Sequence, residues 1–171
     1  MDSEDLIRDP ANKGLLSIDL LDFFPSLKVI ELDVSSLFYL GLIVKEKEFK
    51  EALAKLDPTS LKQQAVALVC SADTIIPTWV YMMLSEKLHT NAAYFDWKGK
   101  SDIELDLWKQ NLQRFDFETY RNKKVVIKAN PNIPPSIYIE AGRLLSPIVQ
   151  SLMMGDIGLP KVIFKRKTHS T

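Results

Sequence analysis

Apolar and polar positions divide the chain into short blocks of strand-like and helix-like periodicity. The run at residues 65–70, Ala-Val-Ala-Leu-Val-Cys, is continuously apolar, which is typical of a parallel strand buried on both faces. Residues 148–154 fit either a strand or the remainder of a kinked helix. Further strands are predicted by their apolar patterns at residues 29–33, 92–97, 125–128 and 162–164.

Helical periodicity separates most of these strands. In residues 45–56, Phe49, Leu53 and Leu56 share one face, and Glu-to-Lys pairs four residues apart lie on the opposite one. A helix with proline in its first turn is predicted at residues 77–88. Two more helices are predicted at residues 101–112 and 136–145, with Ser101 and Ser136 as their N-caps.

The alternation of strand and helix is typical of parallel βαβ units with right-handed crossovers. We therefore predict an α/β fold, as a single three-layer domain with a largely parallel sheet and N-terminal antiparallel additions. The domain is predicted to span residues 1–171. Within it, residues 1–14 are expected to form a loosely ordered arm and residues 165–171 a basic tail.

Composition narrows the class of protein. The chain has 22 Lys and Arg and 22 Asp and Glu, so its zero net charge argues against a nucleic-acid partner and against capture by an anionic membrane. Its one cysteine, Cys70, excludes a disulfide within this sequence and fits a reducing compartment. The first five residues are acidic and lack the basic and apolar regions of a secretory signal. We therefore expect a cytoplasmic protein.

The carboxyl ends of parallel strands, near helix N-termini, are where ligands bind in open α/β sheets. After the strand at residues 65–70, the polar cluster of Cys70, Ser71, Asp73 and Thr74 precedes a helix. A thiolate close to a helix N-terminus is activated, which gives this loop a functional interpretation. The alternative is that Cys70 is a small buried residue and that its polar neighbours cap the turn.

A second loop, at residues 129–136, contains two asparagines and three prolines, so it is expected to hold one shape. We predict that Asn130, Asn132 and Ser136 face the first loop across a crevice that binds a small polar or anionic ligand. The alternative is a turn ended by proline, with Ser136 acting only as a cap.

Other motifs point to no cofactor. Gly99-Lys100-Ser101 resembles the end of a phosphate-binding loop, but the full motif needs glycine where the chain has Tyr94. The sequence has no His or Cys pair at metal-ligand spacing and no calcium loop, so we expect no metal. The two histidines, His89 and His169, are not obviously placed to serve Cys70.

The helix at residues 77–88 carries the apolar run Trp79 to Leu84 all round its surface. Such a helix is buried on more than one side, either by the rest of the chain or by a second copy. Because two-fold dimers are the commonest assemblies, we predict homo-oligomerisation through Trp79, Met82 and Met83.

The stretches Cys70-Ser71-Ala72-Asp73 and Ile76-Pro77-Thr78-Trp79 resemble a domain-of-unknown-function family of bacterial proteins, mainly from Bacteroidetes. Weaker likeness extends along nearly the whole chain, for example at Tyr120-Arg121 and Val125-Val126-Ile127-Lys128. This resemblance implies no established activity.

These observations leave three hypotheses. The first is a cytoplasmic binding domain for a small ligand or anion, which uses the loops at the carboxyl ends of its parallel strands. The second is a homo-oligomeric interaction or scaffolding protein without catalysis. The third is a thiol-dependent enzyme that uses Cys70, and the sequence leaves open whether the protein is an enzyme.

Overall fold

The computed structural model describes residues 14–156 and 158–166, and within them it contains four α-helices and seven β-strands. The helices are α1 (Glu46–Lys55), α2 (Thr78–His89), α3 (Lys100–Arg114) and α4 (Pro135–Leu145). The strands are β1 (Leu15–Ile18), β2 (Val29–Asp33), β3 (Ala65–Val69), β4 (Tyr94–Asp96), β5 (Lys124–Ile127), β6 (Ser151–Met154) and β7 (Lys161–Lys165). The predicted α/β fold class is confirmed, and of the ambiguous residues 148–154 only 151–154 form a strand, β6.

The chain divides into two compact units, which are described separately. The central unit is Pro25–Asp106, and the terminal unit comprises Met1–Phe24 and Leu107–Thr171. The central unit contains the sheet β2-β3-β4, and the terminal unit contains the sheet β1-β5-β6-β7. The prediction of a single sheet is therefore wrong, because β5 pairs with β1 rather than with the sheet of β3 and β4. A single domain over residues 1–171 stays a prediction.

In the central unit, parallel strands are joined by helical crossovers. β2 pairs with β3, and β3 pairs with β4, in parallel register, with α1 and α2 as the two connections. Both helices cover the same face of the sheet, because their apolar side chains join one core. That core includes Phe49 and Leu53 of α1, Val66 and Leu68 of β3, and Val80, Leu84 and Leu88 of α2.

In the terminal unit, β5 lies between β1 and β6, and all three are parallel. Helix α4 connects β5 to β6, whereas β7 returns antiparallel to β6. The expected N-terminal antiparallel additions are therefore wrong, since β1 and β2 are both parallel to their neighbours. The antiparallel strand is β7, because the short connection at residues 155–160 leaves no room for a crossover.

The predicted arm and tail lie largely outside the described residues. Of the arm, only Gly14 is described. The predicted basic tail begins inside β7, whose last residue is Lys165. The next residue, Arg166, donates its backbone N–H to the carbonyl of Gln150 and its guanidinium to the carbonyl of Ser146.

Helix α2 buries most of its apolar surface inside the central unit. Val80, Leu84 and Leu88 are fully buried. Trp79 and Met83 are partly buried and pack against the same core, where Trp79 makes an edge-on contact with Phe49. Of the three predicted interface residues, only Met82 is mostly exposed, at 72%.

This orientation of α2 predicts that substitutions at two nearby positions of the helix differ sharply in their effect on the free energy of unfolding. Leu84→Ala is expected to lower the free energy of unfolding by about 2–5 kcal/mol, because it opens a cavity in the core. Met82→Ala, on the exposed face, is expected to change it by less than about 0.5 kcal/mol. Urea unfolding followed by circular dichroism measures both, and equal losses would contradict the orientation.

Candidate functional site

The predicted site residues follow two strands that belong to different sheets. The first group follows β3 in the central unit and comprises Cys70, Ser71, Asp73 and Thr74. The second group follows β5 in the terminal unit and comprises Asn130, Asn132 and Ser136. The expectation that both groups stand at one edge of one sheet is wrong, so each is a separate candidate.

In the central unit, an aspartate at the end of β2 binds the loop that follows β3. The carboxylate of Asp33 accepts hydrogen bonds from the backbone N–H groups of Ser35 at 3.0 Å and Ser71 at 3.1 Å, and from the Ser71 hydroxyl. The hydroxyl oxygens of Ser35 and Ser71 lie 3.1 Å apart. Asp33 thus caps the 3-10 helix Val34–Leu37 and ties the ends of two neighbouring strands together.

These hydrogen bonds keep Asp33 ionised. Donation by Ser71, and then by Ser35, lowers the pKa of Asp33 from its usual 3.8 to about 2. A carboxylate with so low a pKa is a poor proton acceptor near neutral pH. The cluster therefore supports a structural role for Asp33 rather than the role of a general base.

Two other residues of the loop after β3, Cys70 and Thr74, also bind the chain around them. The thiol of Cys70 donates to a backbone carbonyl two residues on, at 3.4 Å, and its side chain packs against the core. The hydroxyl of Thr74 donates to the carbonyl of Leu42 at 2.8 Å, while Asp73 is exposed. None of them caps α2, which begins after Pro77 without a side-chain cap.

The described histidine stands far from Cys70 along α2. His89 is the last of the 12 residues of this helix, whose first residue follows the loop of Cys70. A rise of about 1.5 Å per residue separates the two ends of such a helix by roughly 16 Å. The ring Nδ1 of His89 lies 2.6 Å from the carbonyl oxygen of Glu86, and His169 is outside the described residues. The helix therefore brings no histidine to the thiol.

In the terminal unit, a pocket of about 590 Å³ opens at the carboxyl ends of β5 and β6. Its walls come from the loop after β5, the first turns of α4 and the last residue of β6. The polar side chains among them are those of Asn130 and Tyr138. The remaining lining residues are apolar: Ala129, Pro131, Ile133, Pro135, Ile139 and Met154. The pocket thus includes one predicted site residue, Asn130, in a wall that is mainly hydrophobic.

The polar groups of this wall are hydrogen-bonded to one another. The hydroxyl of Tyr138 accepts from the backbone N–H of Asn130 at 2.7 Å and donates to the carbonyl of the same residue at 2.9 Å. The Asn130 side-chain oxygen accepts the N–H of Asn132 at 2.9 Å, which forms an Asx turn. Ile133, which is buried, donates its N–H to the Asn130 carbonyl at 3.2 Å. The loop is therefore held in one shape.

The start of α4 offers few hydrogen-bond donors. Pro134 is the N-cap and Pro135 the first helical residue, and neither has an N–H to donate. The prediction that Ser136 is the N-cap is wrong, because proline is favoured in the first turn and the helix begins before Ser136. The Ser136 hydroxyl is buried without a partner among the described residues. Ser101 likewise lies inside α3, which begins at Lys100.

Several residues of the two sites were missed by the sequence analysis. In the central unit these are Asp33 and Ser35, whose Asp-x-Ser spacing after a strand is a signal for an Asx turn. In the terminal unit they include Tyr138 and Met154. Nothing near Met154 in the sequence identifies its place in this pocket, because that place depends on which strands are neighbours.

Nearly the whole sequence matches one family model. Residues 4–166 match the model described as Protein of unknown function (DUF2480). The chain belongs to the DUF2480 family. The resemblance to a family of unknown function is thereby confirmed. No curated protein and no solved structure matches this DUF2480 chain.

Residues 14–156 and 158–166 contain no group of three or more His, Cys, Asp or Glu side chains arranged to hold a metal ion. In the same ranges, no helix is long and apolar enough to cross a membrane.

The capping role of Asp33 predicts a pH-dependent loss of stability. Asp33→Ala is expected to lower the free energy of unfolding by about 1–2 kcal/mol near neutral pH, because the cap and the bonds to Ser71 are lost. The pKa of Asp33 in the folded state lies below its usual 3.8, so its contribution is present above about pH 4. That contribution is lost as the pH falls towards about 2, and wild type and variant should converge there.

Asp73→Ala provides the matched control, because its side chain is exposed on the loop that Asp33 holds. We expect it to change the free energy of unfolding by less than about 0.5 kcal/mol. Urea unfolding of both variants across this pH range measures the difference. A loss in Asp33→Ala that stays constant down to the lowest pH would contradict the assignment.

Proposed function

We propose that this DUF2480 protein is a small-ligand-binding α/β domain, and that its ligand is a largely apolar molecule held in the pocket between β5, β6 and α4. The observation that carries the proposal is the pocket of about 590 Å³ with a mainly hydrophobic wall. Pockets for small molecules commonly measure about 300–1,000 Å³ and have mostly apolar linings with a few placed polar groups. Asn130 and Tyr138 supply those polar groups here.

The lining favours an apolar ligand over the anion first expected at these strand ends. An anion at a helix N-terminus is held by unpaired backbone N–H groups. In α4 the two prolines at the start have none, and the N–H of Ile137 is bonded to the carbonyl of Pro134 at 3.0 Å. No lysine or arginine is among the lining residues of the pocket. The pocket therefore offers an anion no basic side chain and few free N–H groups.

The cellular setting belongs to the same proposal. We propose a bacterial protein, as the resemblance of its sequence implies, and a cytoplasmic one, since its single cysteine allows no disulfide within this sequence. We rank self-association below ligand binding. Of the residues first assigned to an interface, only Met82 is mostly exposed, while Trp79 and Met83 pack against the core of the chain.

Apolar probes test the proposal directly. Benzene, indole and 1-hexanol are expected to raise the unfolding temperature in a saturable manner, because a ligand that binds only the folded state stabilises it. At ten times its dissociation constant a probe adds about 1.4 kcal/mol. Inorganic phosphate is expected to add nothing beyond its effect on ionic strength. Differential scanning calorimetry measures each response.

Two alanine-to-tryptophan variants make the test specific to the pocket. Ala129→Trp places a large side chain in the lining and is expected to abolish stabilisation by the apolar probes. Ala93→Trp makes the same change at an exposed alanine of the central unit, and the response should persist. Stabilisation by phosphate alone, or an undiminished response in Ala129→Trp, would refute the proposal.

A further inference from the structure

A second pocket of the terminal unit lies on one face of its sheet, at the amino ends of β1, β5 and β6. It has a volume of about 280 Å³. It shares no residue with the pocket assigned to the apolar ligand, which opens at the carboxyl ends of β5 and β6. Half of its lining side chains are polar and half are apolar: Lys124, Ser151 and Lys165, and Leu15, Met153 and Val162.

The pairing of the strands places the three polar lining residues in one row across the sheet. Lys124 of β5 is the direct partner of Ser151 in β6, and Ser151 is the direct partner of Lys165 in β7. Directly paired residues project from the same face of a sheet. Because neighbouring strands lie about 4.8 Å apart, the Cα atoms of the two lysines are separated by about 10 Å, with Ser151 between them. Two long lysine side chains therefore flank one serine hydroxyl.

A shift of register in the β6–β7 pair adds an apolar side chain to the same face. Ser151 and Met153 are two residues apart in β6, whereas their partners in β7, Lys165 and Val162, are three residues apart. In a regular strand, residues three apart face opposite sides of the sheet. The irregularity between Leu152 and Met153 cancels this alternation, as a β-bulge does. Strand β7 therefore contributes both a cation and an apolar side chain to the pocket.

The charge of this pocket is positive and is not neutralised within the described part of the chain. Both lysines are exposed, and the ion pairs among the described residues involve other basic side chains. No aspartate or glutamate is among the lining residues. Ser151 is only 4% exposed, and its hydroxyl group can donate one hydrogen bond. Two ammonium groups and a hydroxyl are suitable donors for an anion.

We propose that this pocket binds a small amphiphilic anion, which has a carboxylate or phosphate head and a short hydrocarbon body. The head lies at the row of Lys124, Ser151 and Lys165, and the body packs on the apolar half of the lining. An inorganic anion would use only the polar half, and a hydrocarbon only the apolar half. A cation would be repelled by both lysines.

Two adjacent methionines make the direct test possible on the full chain. Met153 lines this pocket, whereas Met154 lines the apolar one, so methyl-labelled methionine reports on both pockets in one NMR spectrum. Hexanoate and 1-hexanol have the same number of carbon atoms and differ in charge. Hexanoate is expected to shift the Met153 methyl resonance in a saturable manner, and 1-hexanol to bind there about tenfold more weakly. Equal binding of both molecules at Met153, or no saturable shift with hexanoate, would overturn the proposal.

Substitutions of lysine locate the effect. Lys124→Gln and Lys165→Gln are each expected to weaken hexanoate binding about two- to fivefold, because each removes one charge from the row. Lys161→Gln is the matched control, since it makes the same change in the same strand. Lys161 is the partner of Met154, so it projects from the opposite face and lines neither pocket. An effect of Lys161→Gln as large as that of Lys165→Gln would overturn the assignment. Circular dichroism verifies that each variant is folded.

Two further probes identify the head group and the need for a hydrocarbon body. Tighter binding of hexyl phosphate than of hexanoate at Met153 would assign a phosphate head, and the reverse order a carboxylate head. Inorganic phosphate that binds as tightly as either probe would overturn the amphiphilic character of the ligand. A shift of Met154 by 1-hexanol reports only on the apolar pocket, so the failure of one site is distinguishable from the failure of the other.

Discussion

Parallel strand pairing is the constraint on which the rest of this structure depends. Because parallel neighbours run in the same direction, their carboxyl ends meet at the same edge of the sheet. For the same reason they need a long connection, which is usually a helix. In the central unit α1 and α2 provide these connections, and in the terminal unit α4 does so between β5 and β6. Strands β1 and β5 are neighbours although the whole central unit separates them in sequence.

The two sheet edges use their polar residues in different ways. At the end of β2 an ionised carboxylate gathers donors from two loops, so the strand ends of the central unit are held by Asp33. At the end of β5 a tyrosine hydroxyl binds both backbone groups of Asn130, and prolines open the helix that follows. In the central unit these polar groups form hydrogen bonds that hold the strand ends together. The arrangement in the terminal unit leaves a mainly apolar pocket, which is why the proposed ligand is apolar.

Local sequence patterns predicted the helices and strands well, but they predicted the pairing of the strands poorly. The apolar run of β3 and the amphipathic face of α1 are properties of adjacent residues, and both were predicted within a residue or two. The pairing of β5 with β1 depends on residues about a hundred positions apart, so it was missed. For the same reason Asn130 was predicted as a site residue, whereas Met154, across the pocket, was not. Ser136 was wrongly predicted as a cap because the preceding prolines already begin the helix.

The central claim is that β5 belongs to a different sheet from β3 and β4, and nuclear Overhauser effects between strand protons test it most directly. We predict cross-strand contacts from Val125 to Leu16 on one side and to Leu152 on the other. Contacts between β5 and β3 or β4 in a continuous parallel register would contradict it, since all the strand ends would then share one edge.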